Sequence, residues 1–150
     1  MSFSQHVAKH KNAILYYQVL FSLVLTILLL FFFKRFIPEF KVRWLFGFFI
    51  TMSVVTQLAC TFIPETGGII TKYHRTLAGI SAVLLIPTLI CLLFTTNLTL
   101  ISKIIISLSL LIMIFIIYEV LKNKGTHKHF LVLQSIYFLV FFISIFVISF

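Results

Sequence analysis

Residues 13–33 read AILYYQVLFSLVLTILLLFFF, a run without a charged side chain. An α-helix needs about 20 such residues to cross roughly 30 Å of hydrocarbon. Lys9 and Lys11 precede the run, and Lys34 and Arg35 follow it, where cations meet lipid headgroups. The apolar core of a signal peptide is shorter, about 7–15 residues, and ends at small residues. This run ends in Phe31-Phe32-Phe33-Lys34-Arg35, so it reads as a retained membrane span.

Four more apolar runs follow, at 44–62, 73–94, 98–120 and 130–150. The pattern predicts an all-α, polytopic membrane helix bundle of five transmembrane helices, a single integral membrane domain over residues 1–150. Composition leads to the same class. Of 150 residues, 61% are hydrophobic and 10% charged, against about 45–50% and 25% in soluble domains. Such a chain cannot cover itself with polar side chains. The formal charge of +9 comes from basic residues set between apolar runs, with no polar stripe to hold them. It points to the bilayer and anionic lipid headgroups, and excludes nucleic acid as a partner.

Polar residues inside the runs recur at helical spacing. Gln18, Ser22 and Thr26 are four apart, as are Ser53, Gln57 and Thr61, with Thr56 and Cys60 beside the second set. Both stripes are expected to face other helices, as are the small residues Ala78, Gly79 and Ala82. Pro87 predicts a kink. Trp44 suits a membrane interface, and Lys103 can snorkel to one. Cys60 and Cys91 lie near opposite ends of their spans. At about 1.5 Å rise per residue their depths differ by roughly 20–25 Å, and a disulfide requires Cα atoms within about 7 Å. No disulfide within the chain is expected. Asn97-Leu98-Thr99 fits a glycosylation sequon, but its short turn by the membrane predicts no modification.

The one concentration of polar chemistry is Pro64-Glu65-Thr66-Gly67-Gly68, followed by Lys72-Tyr73-His74-Arg75. Glu65 is one of three acidic residues in the chain. Glu65 and His74 are candidates for proton exchange. Arg75, His74 and Lys72 are candidates for holding a phosphate or carboxylate, with Gln57 and Ser53 on the stripe leading to the loop. The plainer alternative is a capped turn in which Glu65 pairs with Lys72 or Arg75. Cys60 faces the same end as His74, which makes a Cys–His pair conceivable, although a buried apolar cysteine is usually inert. The histidines His6, His10, His74, His127 and His129 fall on one side of the predicted topology and are weak metal candidates. No zinc-type spacing or HExxH is present, so no metal and no cofactor is predicted. No charged residue stands at mid-span, which argues against an ion path.

The order of these features resembles the bacterial and archaeal multipass family called domain of unknown function 998. The resemblance is carried by Phe62-Ile63-Pro64-Glu65, by His74 opening the next run, by Gly125 with Lys128 or His129 before the last run, and by Ser4 before the first. It covers nearly the whole chain. The family typically has six spans and this chain lacks the first. The family's acidic residue before the basic one in the last loop has no counterpart in Gly125-Thr126-His127-Lys128-His129. At a coarser level the chain is similar to Frag1/DRAM-type membrane proteins. The resemblance implies a multi-pass protein of the bacterial or archaeal cell membrane, with the N-terminus and the Pro64–His74 loop outside. The basic residues divide almost evenly between the two sides, so charge alone leaves the orientation open. The resemblance brings no established activity. The expected function is a non-enzymatic binder of lipid or a small ligand, or a subunit of a membrane assembly with a protein partner or further copies of itself. The alternative is a membrane enzyme acting on a lipid or isoprenoid headgroup at the Glu65/His74/Arg75 face. A haem or metal protein using the same-side histidines is third.

Overall fold

The computed structural model describes residues 11–63, 67–95, 98–122 and 130–148. Helix α1 starts as Lys11–Phe31 and runs on through a π-helical turn, Phe32–Phe36, and a last α-turn, Ile37–Phe40. It is followed by α2 (Trp44–Phe62), α3 (Gly68–Leu93), α4 (Leu100–Lys122) and α5 (Phe130–Ile148), with no strand among the described residues. The fold is an all-α bundle. Helices α1 to α4 are each long and apolar enough to cross a membrane, and α5 adds a shorter apolar stretch, Val132–Ile148.

The ends of the helices depart from the sequence expectation. Residues 34–40 are helical, so the expected 34–43 loop shrinks to the turn at Lys41–Arg43. The reason lies in the π-turn. Pro38 lacks an N–H, and in a regular α-turn its ring meets the carbonyl of Lys34. The wider turn just before it, in which the Ile37 N–H reaches the Phe32 carbonyl, makes room for the ring. Lys34 and Arg35 stay exposed, so their charge does not break the helix. Lys41, in the left-handed region at φ 50°, then stops the helix. The N–H groups of Lys41 and Val42 both return to the Ile37 carbonyl, a Schellman-type end, and Val42 is buried in the core cluster against which Ile37 also packs.

Helix α3 starts at Gly68, ahead of the expected residue 73. Gly67 and Gly68 hold φ of 115° and 59°, conformations that glycine adopts without steric cost. The Gly67 N–H is held by the Thr71 hydroxyl at 2.8 Å. Thr99 caps α4, its hydroxyl accepting from the Ser102 N–H at 3.1 Å.

Helix α3 is central. It shares its largest interface with α2, packs on α4, and touches α5. Between lipid-exposed helices there is little hydrophobic driving force, so close packing and polar links hold them. A reciprocal link joins Ser53 and Ser81. Each hydroxyl donates to the other residue's backbone carbonyl at 2.9 Å. Tyr137 of α5 donates its hydroxyl to the carbonyl of Ala82, one residue before Val83, whose intrahelical donor Pro87 removes. Helix α3 continues through Pro87. The outer surface carries exposed Leu20, Ile27, Leu111, Phe115 and Phe146 among many others, which is the surface of a membrane protein and not of a soluble one.

Because both serines donate to backbone, either one keeps its bond when the other is lost. Ser53→Ala and Ser81→Ala are each expected to cost about 0.6 kcal/mol, the average for polar links between membrane helices. The double variant is expected to cost nearly the sum, with a coupling below about 0.5 kcal/mol. Unfolding of all four proteins in detergent titrations measures this. A larger coupling would mean that the direct 3.2 Å hydroxyl contact carries the energy instead.

Candidate functional site at the turn between α2 and α3

The last turn of α2 and the first turns of α3 bring together Cys60, Thr61, His74 and the carbonyl of Ile63, with Tyr17 of α1 on the side. The antiparallel register that pairs Ser53 with Ser81 also pairs Cys60 with His74, seven residues further along each helix. His74 is turned inward, 6% exposed. Its Nδ1 donates to the Ile63 carbonyl at 2.6 Å. Ile63 is the residue that ends α2, where carbonyls lack intrahelical partners. His74 therefore caps the neighbouring helix and closes the hairpin.

Cys60, 1% exposed, places its sulfur 3.5 Å from both ring nitrogens of His74. The equality decides what the pair can do. The lone pair of a ring nitrogen points outward in the ring plane, away from the other nitrogen. A sulfur on that axis would be much farther from the second nitrogen. Equal distances put it off both lone-pair axes, the lines along which a base takes a proton. The thiol instead donates to the backbone carbonyl of His74 at 3.4 Å. Nδ1 is committed to Ile63. Cys60 and His74 are thus packed as a lock between helices and not as nucleophile and base. Tyr17 brings its hydroxyl to the Thr61 side chain beside Cys60, and Thr61 donates to the Gln57 carbonyl at 2.8 Å.

The other expected site residues divide. Lys72 and Arg75 are exposed, and at 3.6 residues per turn they stand about 160° and about 100° round α3 from His74. Ser53 is buried and spent on Ser81. Gln57 is half-buried one turn from Ser53. Glu65 lies outside the described residues, as do His6, His10, His127 and His129. Among the described residues no three His, Cys, Asp or Glu side chains gather as a metal site would require. Cys60 and Cys91 are both buried and in no disulfide.

The sequence does carry a signal for the inward face. His74, Ser81 and Thr88 are seven apart and all buried, and Ser53 and Cys60 repeat the spacing on α2. A seven-residue repeat keeps one seam facing a partner helix. The four-residue spacing of Ser53, Gln57 and Thr61 drew attention away from it.

Comparison of the chain with protein-family models, curated proteins and solved structures returned no match.

Proposed function

We propose that this chain is a multi-pass, non-enzymatic component of a membrane that binds lipid. The division of its polar side chains supports the reading. Those at the contacts between helices are closed on the chain itself: Ser53 with Ser81, Cys60 and His74 on backbone carbonyls, Tyr137 on Ala82; the buried Ser22 hydroxyl of α1 has no partner among the described residues. The cations Lys34, Arg35, Lys41, Arg43, Lys72 and Arg75 are exposed near helix ends, where headgroups lie. General acid–base work needs a side chain that can reach its reactant, and His74 is buried, 6% exposed, with its Nδ1 held by Ile63. That weighs against a membrane enzyme acting on a lipid or isoprenoid headgroup at Glu65, His74 and Arg75. A haem or metal protein would draw on His74 too, and that ring is buried in the hairpin, with no group of three His, Cys, Asp or Glu around it among the described residues.

The resemblance to the domain of unknown function 998 family belongs to the same proposal. Of the residues that carry it, Ile63 and His74 meet in the hairpin lock, while Pro64, Glu65, Gly125, Lys128, His129 and Ser4 lie outside the described residues; it would put the chain in a bacterial or archaeal cell membrane. Native mass spectrometry of the protein released gently from its membrane tests the lipid reading. The expected spectrum contains protein with phospholipid retained, and resolves any second copy or partner subunit. A spectrum of bare chain alone, under conditions that preserve lipid on a control membrane protein, would remove it.

A further inference from the structure

We propose that the α1–α2 end seats one acyl chain of an anionic phospholipid in an outward groove, with the headgroup against the Lys41–Arg43 turn. The proposal rests on the lipid-binding reading and names the lipid class and the place. The groove has a volume of about 390 Å³ and is lined by Phe33, Ile37, Trp44, Gly47, Phe48 and Thr51. The Thr51 hydroxyl donates to the Gly47 carbonyl at 2.7 Å, which turns its polar atom onto the helix. What remains facing outward is hydrocarbon and aromatic ring, suited to an acyl chain and offering a polar ligand no partner.

Gly47 gives the groove its floor. A Cβ at Gly47 would stand 3.3 Å from Ile37 Cδ1 and 3.4 Å from Phe33 Cε1, so its absence lets α1 seat closely on α2 there. The headgroup end follows from the chain. Arg43 directly precedes Trp44, Lys41 stands two residues before Arg43, and both are exposed. The one carboxylate in this segment, Glu39, is paired with Arg35 at 3.4 Å. Cations therefore outnumber acids where the groove meets the membrane surface, and Arg presents the fork that suits a phosphate. A zwitterionic headgroup would bring its own cation to the same place.

Trp44, in the wall of the groove, is the only tryptophan of the chain and reports its occupant. The full chain is reconstituted into phosphatidylcholine vesicles containing increasing fractions of phosphatidylglycerol or phosphatidylcholine with brominated acyl chains, which quench tryptophan fluorescence. Brominated phosphatidylglycerol is expected to quench with about tenfold preference, and Lys41→Gln and Arg43→Gln each to lower that preference about threefold. Gly47→Leu, which fills the floor, is expected to remove it. Equal quenching by the two lipids overturns the proposal, while phospholipid retained in native mass spectra would leave the broader reading standing. A preference unchanged in the Lys41→Gln/Arg43→Gln double variant, whose changes are on exposed side chains and spare the core, overturns the placement of the headgroup. A preference unchanged in folded Gly47→Leu overturns the groove. A preference lost in the double variant supports the proposal even where Gly47→Leu fails to fold.

Discussion

Replacing Phe46 by alanine is expected to destabilise the bundle by about 2–4 kcal/mol. Phe32, Phe36 and Phe46 are each 0% exposed, with ring centroids 5.6 Å apart for Phe32–Phe36, 5.5 Å for Phe32–Phe46 and 5.4 Å for Phe36–Phe46. In a water-soluble core, Phe→Ala costs about 3–5 kcal/mol, of which part is the transfer of the ring from water. Here the released surface meets lipid, as apolar as the core, so the transfer part falls away. What remains is lost dispersion contact, the cavity, and two aromatic pairs of about 0.5–1.5 kcal/mol each. The effect should concentrate in α1. Residues 13–31 of that helix include no buried side chain, and its firm seat is the end where Phe32 and Phe36 meet α2.

Denaturant titration from mixed micelles, followed by far-ultraviolet circular dichroism, measures the loss. Hydrogen exchange should rise in α1 before it rises in α3. Phe48→Ala is the control. Phe48 is half exposed, and its truncation is expected to cost under about 0.5 kcal/mol. Equal losses for Phe46 and Phe48 would show that the cluster carries no special share of the stability.

The helical class was legible because lipid imposes one requirement on every span: apolar side chains over a helix-long run. The helix ends were less legible, because a charge does not mark a loop when its side chain can reach the interface. Lys34 and Arg35 stand on a helix for that reason, and Pro38 is accommodated by a π-turn that leaves no mark in spacing. Polar stripes were half legible. A hydroxyl on a membrane helix can bond its own helix or the neighbour, and the two use the same four-residue offsets. Thr26 is exposed and donates to the Ser22 carbonyl of α1 at 2.7 Å, whereas Ser53 crosses to α3. Gly79 was expected at a close helix contact, yet an added Cβ there would meet nothing within 4 Å; the close contact is two residues on, at Ser81. Residue type singled out this turn, but not which way its side chains face. His74 and Arg75 are adjacent in sequence, but a helix turns about 100° per residue, and the register of α2 on α3 decides which of them faces in. That register is set by contacts between residues 14 to 28 apart, beyond the reach of local pattern.

His74 separates a lock from a dyad. His74→Ala leaves the Ile63 carbonyl without its donor and opens space beside Cys60, and is expected to cost about 2–3 kcal/mol. The replacements differ in where they put an amide. The side-chain nitrogen of asparagine stands near the position of Nδ1, and that of glutamine near Nε2. Since Nδ1 makes the bond to Ile63, His74→Asn should recover most of the stability and His74→Gln little of it. The thiol gives the second readout. If the ring only covers Cys60, His74→Ala should increase alkylation of Cys60 by a membrane-permeant maleimide, with Cys91→Ser as the background so that one thiol is counted. If the ring were the base of a Cys–His dyad, its removal would slow the reaction, because the thiolate is the nucleophile. The sign of that change, measured together with the Asn and Gln stabilities, decides whether this turn holds helices together or does chemistry.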